Sequence, residues 1–188
     1  MKNEMKKVLL FAAVLLAGNS ALAQTPQEDF KRDITLSASN YVAYRGPQKQ
    51  LTPAPKGYKP FYLSHYGRHG SRYMIGNKAY DVPYFSLLKA KQEGKLTAKG
   101  EETLEKVKLI RDDAKGRDGE LTPLGAIQHQ GITKRMMERF PEIFAGKTNI
   151  EARSTVVIRC ILSMENGLQQ MLRMNPQLNI FHDASYHD

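Results

Sequence analysis

The 188 residues of this chain predict an α/β fold, a largely parallel sheet flanked by helices, and three observations carry that class. Short β-prone runs alternate with stretches of helical apolar period, the order that builds a parallel sheet through helical crossovers. Thr122-Pro123 marks a helix start, a side-chain cap followed by a residue whose φ is already helical. Arginines stand at the carboxyl ends of two of the β-prone runs, where open α/β sheets place their ligands.

Residues 1–23 read as a secretory signal peptide: a basic stretch ending in Lys6-Lys7, an apolar run from Val8 to Gly18, and the small-residue site Ala21-Leu22-Ala23. That run is about 11 residues, well short of the roughly 20 that cross a bilayer. The expected product begins near Gln24, is exported to the periplasm or beyond, and has no stable membrane anchor. Without residues 1–23, which hold Lys2, Lys6, Lys7 and Glu4, the 28 basic and 19 acidic side chains become 25 and 18, a net charge of +7. Such a balance suits an anionic partner. A single cysteine, Cys160, excludes an intrachain disulfide, so residues 24–188 are expected to hold together as one domain on their core.

Residues 24–60 carry Pro26, Gly46-Pro47, Pro53, Pro55, Gly57 and Pro60 and predict an extended lead-in. Phe61 to Tyr66 is an aromatic, β-prone run stopped by Gly67, which predicts a short strand entering a loop, residues 67–72. Two amphipathic helices are expected between Asp81 and Lys115, one with Val82, Phe85 and Leu88, the other with Leu104, Val107, Ile110 and Ala114, and Gly94 turns between them. The helix capped by Thr122 should run to about Phe140, where Pro141 stops it. Ile150 to Ser154 predicts a second strand, Val157 to Met174 a helix on Ile158, Ile161, Leu162, Leu168, Met171 and Leu172, and Leu178 to Phe181 a third strand.

Arg68-His69-Gly70-Ser71-Arg72 sets one imidazole between two guanidinium groups, with a glycine beside it that would let a ligand come close to the backbone. Guanidinium offers planar, bidentate donors that match phosphate oxygens and keep their charge. Nearby cations favour the neutral imidazole, the form able to attack phosphorus. At the second strand exit, Arg153-Ser154-Thr155 and then Arg159 add further donors where a helix begins, and a helix N-terminus is itself an anion site. Taken singly, each has a plainer reading: a solvated basic turn for Arg68 to Arg72, an N-cap for Ser154-Thr155, a surface arginine for Arg159.

These residues resemble the histidine acid phosphatases of the histidine phosphatase superfamily, whose signature is Arg-His-Gly-x-Arg. Tyr66 to Arg72, then Leu121-Thr122-Pro123-Leu124-Gly125, then Arg153-Ser154-Thr155 with Arg159-Cys160, follow the order of that family. The longer context from Gly57 to Arg68, with Asp183-Ala184-Ser185, is most similar to bacterial multiple inositol polyphosphate phosphatases, and the resemblance spans residues 56–188. It implies a phosphoglycerate mutase-like fold and hydrolysis of phosphomonoesters, inositol polyphosphates above all, with no cofactor or metal. It further implies that His69 is the nucleophile that becomes phosphorylated, that Arg68, Arg72 and Arg159 hold the phosphoryl group, and that Ser71 and Arg153 are candidate substrate contacts. Two departures stand out: Tyr73-Met74 where many members have Pro, and Val156-Val157-Ile158 where many have acidic residues.

The family also uses a His-Asp or His-Ala-Glu sequence far downstream as proton donor. His182-Asp183 and His187-Asp188 follow the second motif too closely for that role, so the chain is expected to be the N-terminal part of the domain. Phosphate binding without turnover is accordingly the alternative function. His65 and His69 are separated by Gly67, against a two-histidine metal site; His129 reads as a packed or surface side chain, and Cys160 as a small buried thiol. A nucleic-acid partner ranks last, since no base-reading module is recognisable, nor is there a P-loop, dinucleotide fingerprint or nucleophilic-serine elbow.

Overall fold

The computed structural model describes residues 26–186 apart from 48, 50 and 51; residues 1–23, and with them the expected signal peptide, lie outside the described residues, as does His187-Asp188. The chain divides into two compact units between Ala43 and Tyr44.

The first unit corrects the expected extended lead-in. It holds helix α1, Pro26–Arg32, and a 3-10 helix, Ile34–Tyr41. Proline at the first helical position is preset for the helix, and Glu28 and Asp29 in the first turn with Lys31 and Arg32 in the last complement its dipole. Asp33 then caps the 3-10 helix, its carboxylate accepting from the Thr35 amide at 3.0 Å.

In the second unit the helices stand close to where the sequence puts them: α2 at Lys78–Gln92, α3 at Ala98–Ala114, α4 at Pro123–Arg139 and α5 at Ile158–Met174. α2 and α3 form a hairpin turned at Gly94, whose φ of 65° suits glycine. Arg111 locks the pair: it binds Asp81 at 2.6 Å and lies 4.9 Å over the Tyr84 ring. The expected apolar stripes are covered only in part: Leu104 and Ala114 of α3 are buried and Leu88 of α2 is half-buried, whereas Val82, Phe85 and Ile110 are exposed.

Strand β1, Asn149–Ser154, and strand β2, Asn179–Ala184, pair in parallel from Asn149 against Asn179 to Ser154 against Ala184, with α5 as the crossover. Period-two alternation turns Ile150, Ala152 and Ser154 inward and leaves Asn149, Glu151 and Arg153 exposed. Met137, Phe144, Leu168, Met171 and Leu178 make the core, with Leu63, Ile150 and Ile180 packed around it. α4 and α5 approach through small residues: a Cβ on Gly167 would lie 3.0 Å from Thr133 Oγ1, and Gln130 donates to Asn166 at 2.9 Å. The buried face of α5 is thus Ser163, Gly167, Leu168 and Met171, while the expected positions Ile158, Leu162 and Leu172 are exposed.

The described sheet has two strands, a parallel pair in a mixed helix and sheet fold. The expected first strand is absent: residues 61–66 are irregular, and the rings of Phe61, Tyr62 and Tyr66 stand in solvent. β propensity measures packing against neighbouring strands, and β1 takes β2 as its partner. Backbone pairing occurs a few residues later, where 71–74 run antiparallel to 119–122 through Thr122 N–H to Ser71 O, Tyr73 N–H to Glu120 O and Gly119 N–H to Met74 O, each 2.9 Å.

Candidate active site

The loop carrying His69 is seated on the first two turns of α4 and on Ser163 of α5. Gly70 and Gly125 meet backbone to backbone: a Cβ on Gly70 would strike the Gly125 carbonyl and lie 2.6 Å from its Cα, and a Cβ on Gly125 would strike the Ser71 carbonyl. This corrects the reading of Gly70 as room for a ligand, because the first turn of α4 fills that room. Glycine is needed for helix packing here.

Ahead of the pairing of 71–74 with 119–122, side chains satisfy much of the loop backbone. Gly70 N–H donates to Ser163 Oγ of α5 at 3.0 Å, and Ser71 N–H donates to Gln128 Oε1 of α4 at 2.8 Å. The Ser71 carbonyl accepts from Thr122 Oγ1 at 2.8 Å as well as from the Thr122 amide. His129 Nε2 lies 3.1 Å from the Arg68 carbonyl; a carbonyl can only accept, so Nε2 carries the proton.

His69 is half-buried, and its Nδ1 lies 2.8 Å from the Gly70 carbonyl. By the same logic Nδ1 donates to that carbonyl, and in the neutral ring the lone pair then sits on Nε2. Arg68 is exposed beside it. Arg72 is half-buried; its Nη1 donates to the Tyr73 carbonyl at 2.7 Å, and its Nε is buried with no partner among the described residues. Arg159, on the first turn of α5, shows the same feature, a buried Nε without an acceptor. Its Nη1 lies 3.3 Å from where a Cβ on Gly119 would stand, against the ribbon that continues from Arg72. The ties between Arg159 and His69 run through Ser163, whose hydroxyl donates to the Arg159 carbonyl at 2.7 Å and accepts from Gly70. Gln128 adds a third buried donor nitrogen without an acceptor, Nε2. All three are N–H donors, each buried without an oxygen acceptor among the described residues.

Arg153 is on the exposed face of β1, opposite Asp183 in register, and no hydrogen bond among the described residues joins it to the loop. Ser71 is held through its backbone. His182 is engaged elsewhere, its Nδ1 2.6 Å from Glu165 of α5, and Asp183 accepts from the Ala184 amide. Among the described residues no group of three His, Cys, Asp or Glu side chains is placed to hold a metal ion, and no helix is long and apolar enough to cross a membrane.

Two features escape sequence reasoning. His129, which looks like a bystander on a helix, lies at the loop; burial pushes its pKa down, the charges of His65 and His69 push the same way, and only the Arg68 carbonyl opposes them. Its signal was the spacing Gly125, Gln128, His129, one polar helix face rather than an apolar one. Tyr73 is anchored outside the loop: its hydroxyl donates to Asp113 at 2.8 Å and accepts from Arg117, whose guanidinium covers its ring at 4.3 Å. The bond to Asp113, then burial, raise its pKa against the pull of Arg117.

No protein-family model matches the chain, and no curated protein matches it. Solved structures do. The multiple inositol polyphosphate phosphatase of Bifidobacterium longum, crystallised in its apo form and in complex with phosphate, is 28% identical with a TM-score of 0.57 in each case, over 72% of this chain and 29% of that one. Its complex with inositol hexasulfate is matched at 24% identity and a TM-score of 0.53, over 73% of this chain and 30% of that one, a likeness of fold alone. The chain thus spans less than a third of the length of that enzyme, and over most of its own length it is similar in structure to an inositol polyphosphate phosphatase.

Proposed function

We propose that this chain carries the nucleophilic and phosphate-binding part of a phosphomonoesterase of the histidine acid phosphatase type, exported by its first 23 residues and acting on inositol polyphosphates. The observation that carries the reading is the state of His69. Its Nδ1–H is given to the Gly70 carbonyl, so that in the neutral ring the lone pair lies on Nε2, in a loop flanked by Arg68 and Arg72. The likeness to the Bifidobacterium longum enzyme supports the choice of substrate class.

In this mechanism Nε2 of His69 attacks the phosphorus of a phosphate ester. The N–P bond forms, the bond from phosphorus to the ester oxygen breaks, and the alcohol leaves with its electron pair and takes up a proton. Water then attacks the phosphohistidine, the N–P bond breaks, and inorganic phosphate departs with the ring returned to its neutral state. Arg68, Arg72 and Arg159 bind the equatorial oxygens and offset the charge that gathers on them. Ser71 and Arg153 are assigned to the substrate beyond the phosphoryl group.

A second reading is phosphate binding without turnover. It is favoured by His182, whose pairing with Glu165 keeps the described His-Asp sequence away from the donor role. Acid-quench trapping with radiolabelled inositol hexakisphosphate separates the two. Label on His69 followed by release of phosphate supports hydrolysis; label without release supports the first half-reaction alone, and binding without label supports the second reading. Near-normal turnover in His69→Ala would sink the mechanism.

A further inference from the structure

We propose that the adjacent residues Gln128 and His129 of α4 are positioning residues, a clamp that grips the backbone on both sides of His69; the inference rests on His69 being the nucleophile. Residues 68–71 lie outside any strand, so their polar groups depend on partners from the helices. Gln128 Oε1 takes the Ser71 amide at 2.8 Å, and His129 Nε2–H holds the Arg68 carbonyl at 3.1 Å. His69 is therefore bracketed, held through the carbonyl before it and the amide two residues on, with Ser163 holding Gly70 between.

The two residues share a helix face with Gly125, three and four positions earlier, and Gly125 is the residue in backbone contact with Gly70. One face of α4 thus sets both the depth at which the loop sits and its rotation about that contact. Burial and the nearby His65 and His69 lower the pKa of His129, which favours the neutral ring, and in that form it donates from Nε2 alone. Such a clamp matters because a nucleophile displaced by about 1 Å can lose about 10²-fold in rate.

The test uses the full chain, with p-nitrophenyl phosphate as substrate. His129→Phe keeps a ring and removes the donor, His129→Gln returns an amide N–H at similar reach, and Gln128→Leu removes the opposite grip. We expect kcat to fall about 10- to 100-fold in His129→Phe and Gln128→Leu with KM within about two-fold, and His129→Gln to recover most of the loss. Two readouts do not depend on turnover: ring-nitrogen NMR should find His129 as the Nε2–H tautomer, and hydrogen exchange of the Ser71 amide should be slow in the parent and fast in Gln128→Leu. Should His129→Phe fail to fold, Gln128→Leu and the tautomer decide. Unchanged kcat in either variant, or an Nδ1–H tautomer, overturns the clamp. A parent chain that neither turns over nor labels His69 overturns the nucleophile instead, and the tautomer and the Ser71 exchange then judge the clamp alone.

Discussion

Gly70 and Gly125 touch through their backbones, and neither position has room for a Cβ. The contact joins the loop carrying His69 to the first turn of α4. A methyl group at Gly125 must displace the Ser71 backbone, which is rigid, in contrast to Gly131 of the same helix, where a Cβ meets only the end of the Arg135 side chain at 3.3 Å. We expect Gly125→Ala to cost about 1–3 kcal/mol, the scale of overpacking, and to weaken phosphate binding as the loop shifts. Gly131→Ala should gain about 0.5–1 kcal/mol from helix propensity. Urea midpoints and phosphate titration of the two variants check this pair, and equal effects would show that the glycine contact is unimportant.

Arg159 offers a sharper chemical test. Its buried Nε has no acceptor among the described residues, whereas its Nη1 reaches toward Gly119. Lysine has one charged nitrogen at the chain end and nothing equivalent to Nε, so charge alone should not restore function. We expect Arg159→Ala to lower kcat/KM about 10²–10³-fold, the scale for losing one oriented donor, and Arg159→Lys to recover little of it. Steady-state kinetics of the two variants settle the point; full recovery by lysine would mean that only net charge matters there.

How far these features were legible follows from where their causes lie. Thr122-Pro123 specifies a helix start within four residues, and the cap forms as read, Thr122 accepting from Gly125 N–H at 3.1 Å. The β1, α5, β2 order was legible from local period, although α5 buries Leu168 and Met171 together with Ser163 and Gly167 and leaves Ile158, Leu162 and Leu172 exposed. Phe61 to Tyr66 misled because aromatic content speaks of a pleated surface with neighbours, and those rings have none among the described residues. Gly70 misled for a related reason: its requirement for glycine comes from Gly125, far along the chain, and a five-residue motif cannot show that. His129 stayed hidden because apolar periodicity marks faces that enter a core, while the face of α4 at the loop is glycine, amide and imidazole.

The depressed pKa of His129 carries a pH signature. Unfolded, the ring titrates near its ordinary value of about 6.5; folded, burial and its histidine neighbours hold it lower. Between the two values the unfolded chain binds the extra proton, so stability falls as pH drops through that window and is restored above it. We expect the urea midpoint to decline as pH falls below about 6.5, and His129→Gln, which cannot titrate, to flatten the decline. Identical pH profiles for parent and variant would show that the ring is solvated rather than enclosed.

Thr122 joins the stability of α4 to the geometry of the loop through one hydroxyl. Its Oγ1 accepts from Gly125 N–H, capping the helix, and donates to the Ser71 carbonyl at 2.8 Å. Thr122→Ser keeps both bonds, and Thr122→Ala loses both. Removal of a threonine cap costs about 1 kcal/mol, up to about 2, and the freed Ser71 carbonyl retains the Thr122 amide as partner. We therefore expect Thr122→Ala to lower stability by about 1–2 kcal/mol and to lower kcat beyond what partial unfolding explains, with Thr122→Ser near the parent in both. Measuring kcat well below the unfolding temperature separates the two effects. If activity follows the folded fraction alone, the hydroxyl is a helix cap and the loop does not depend on it.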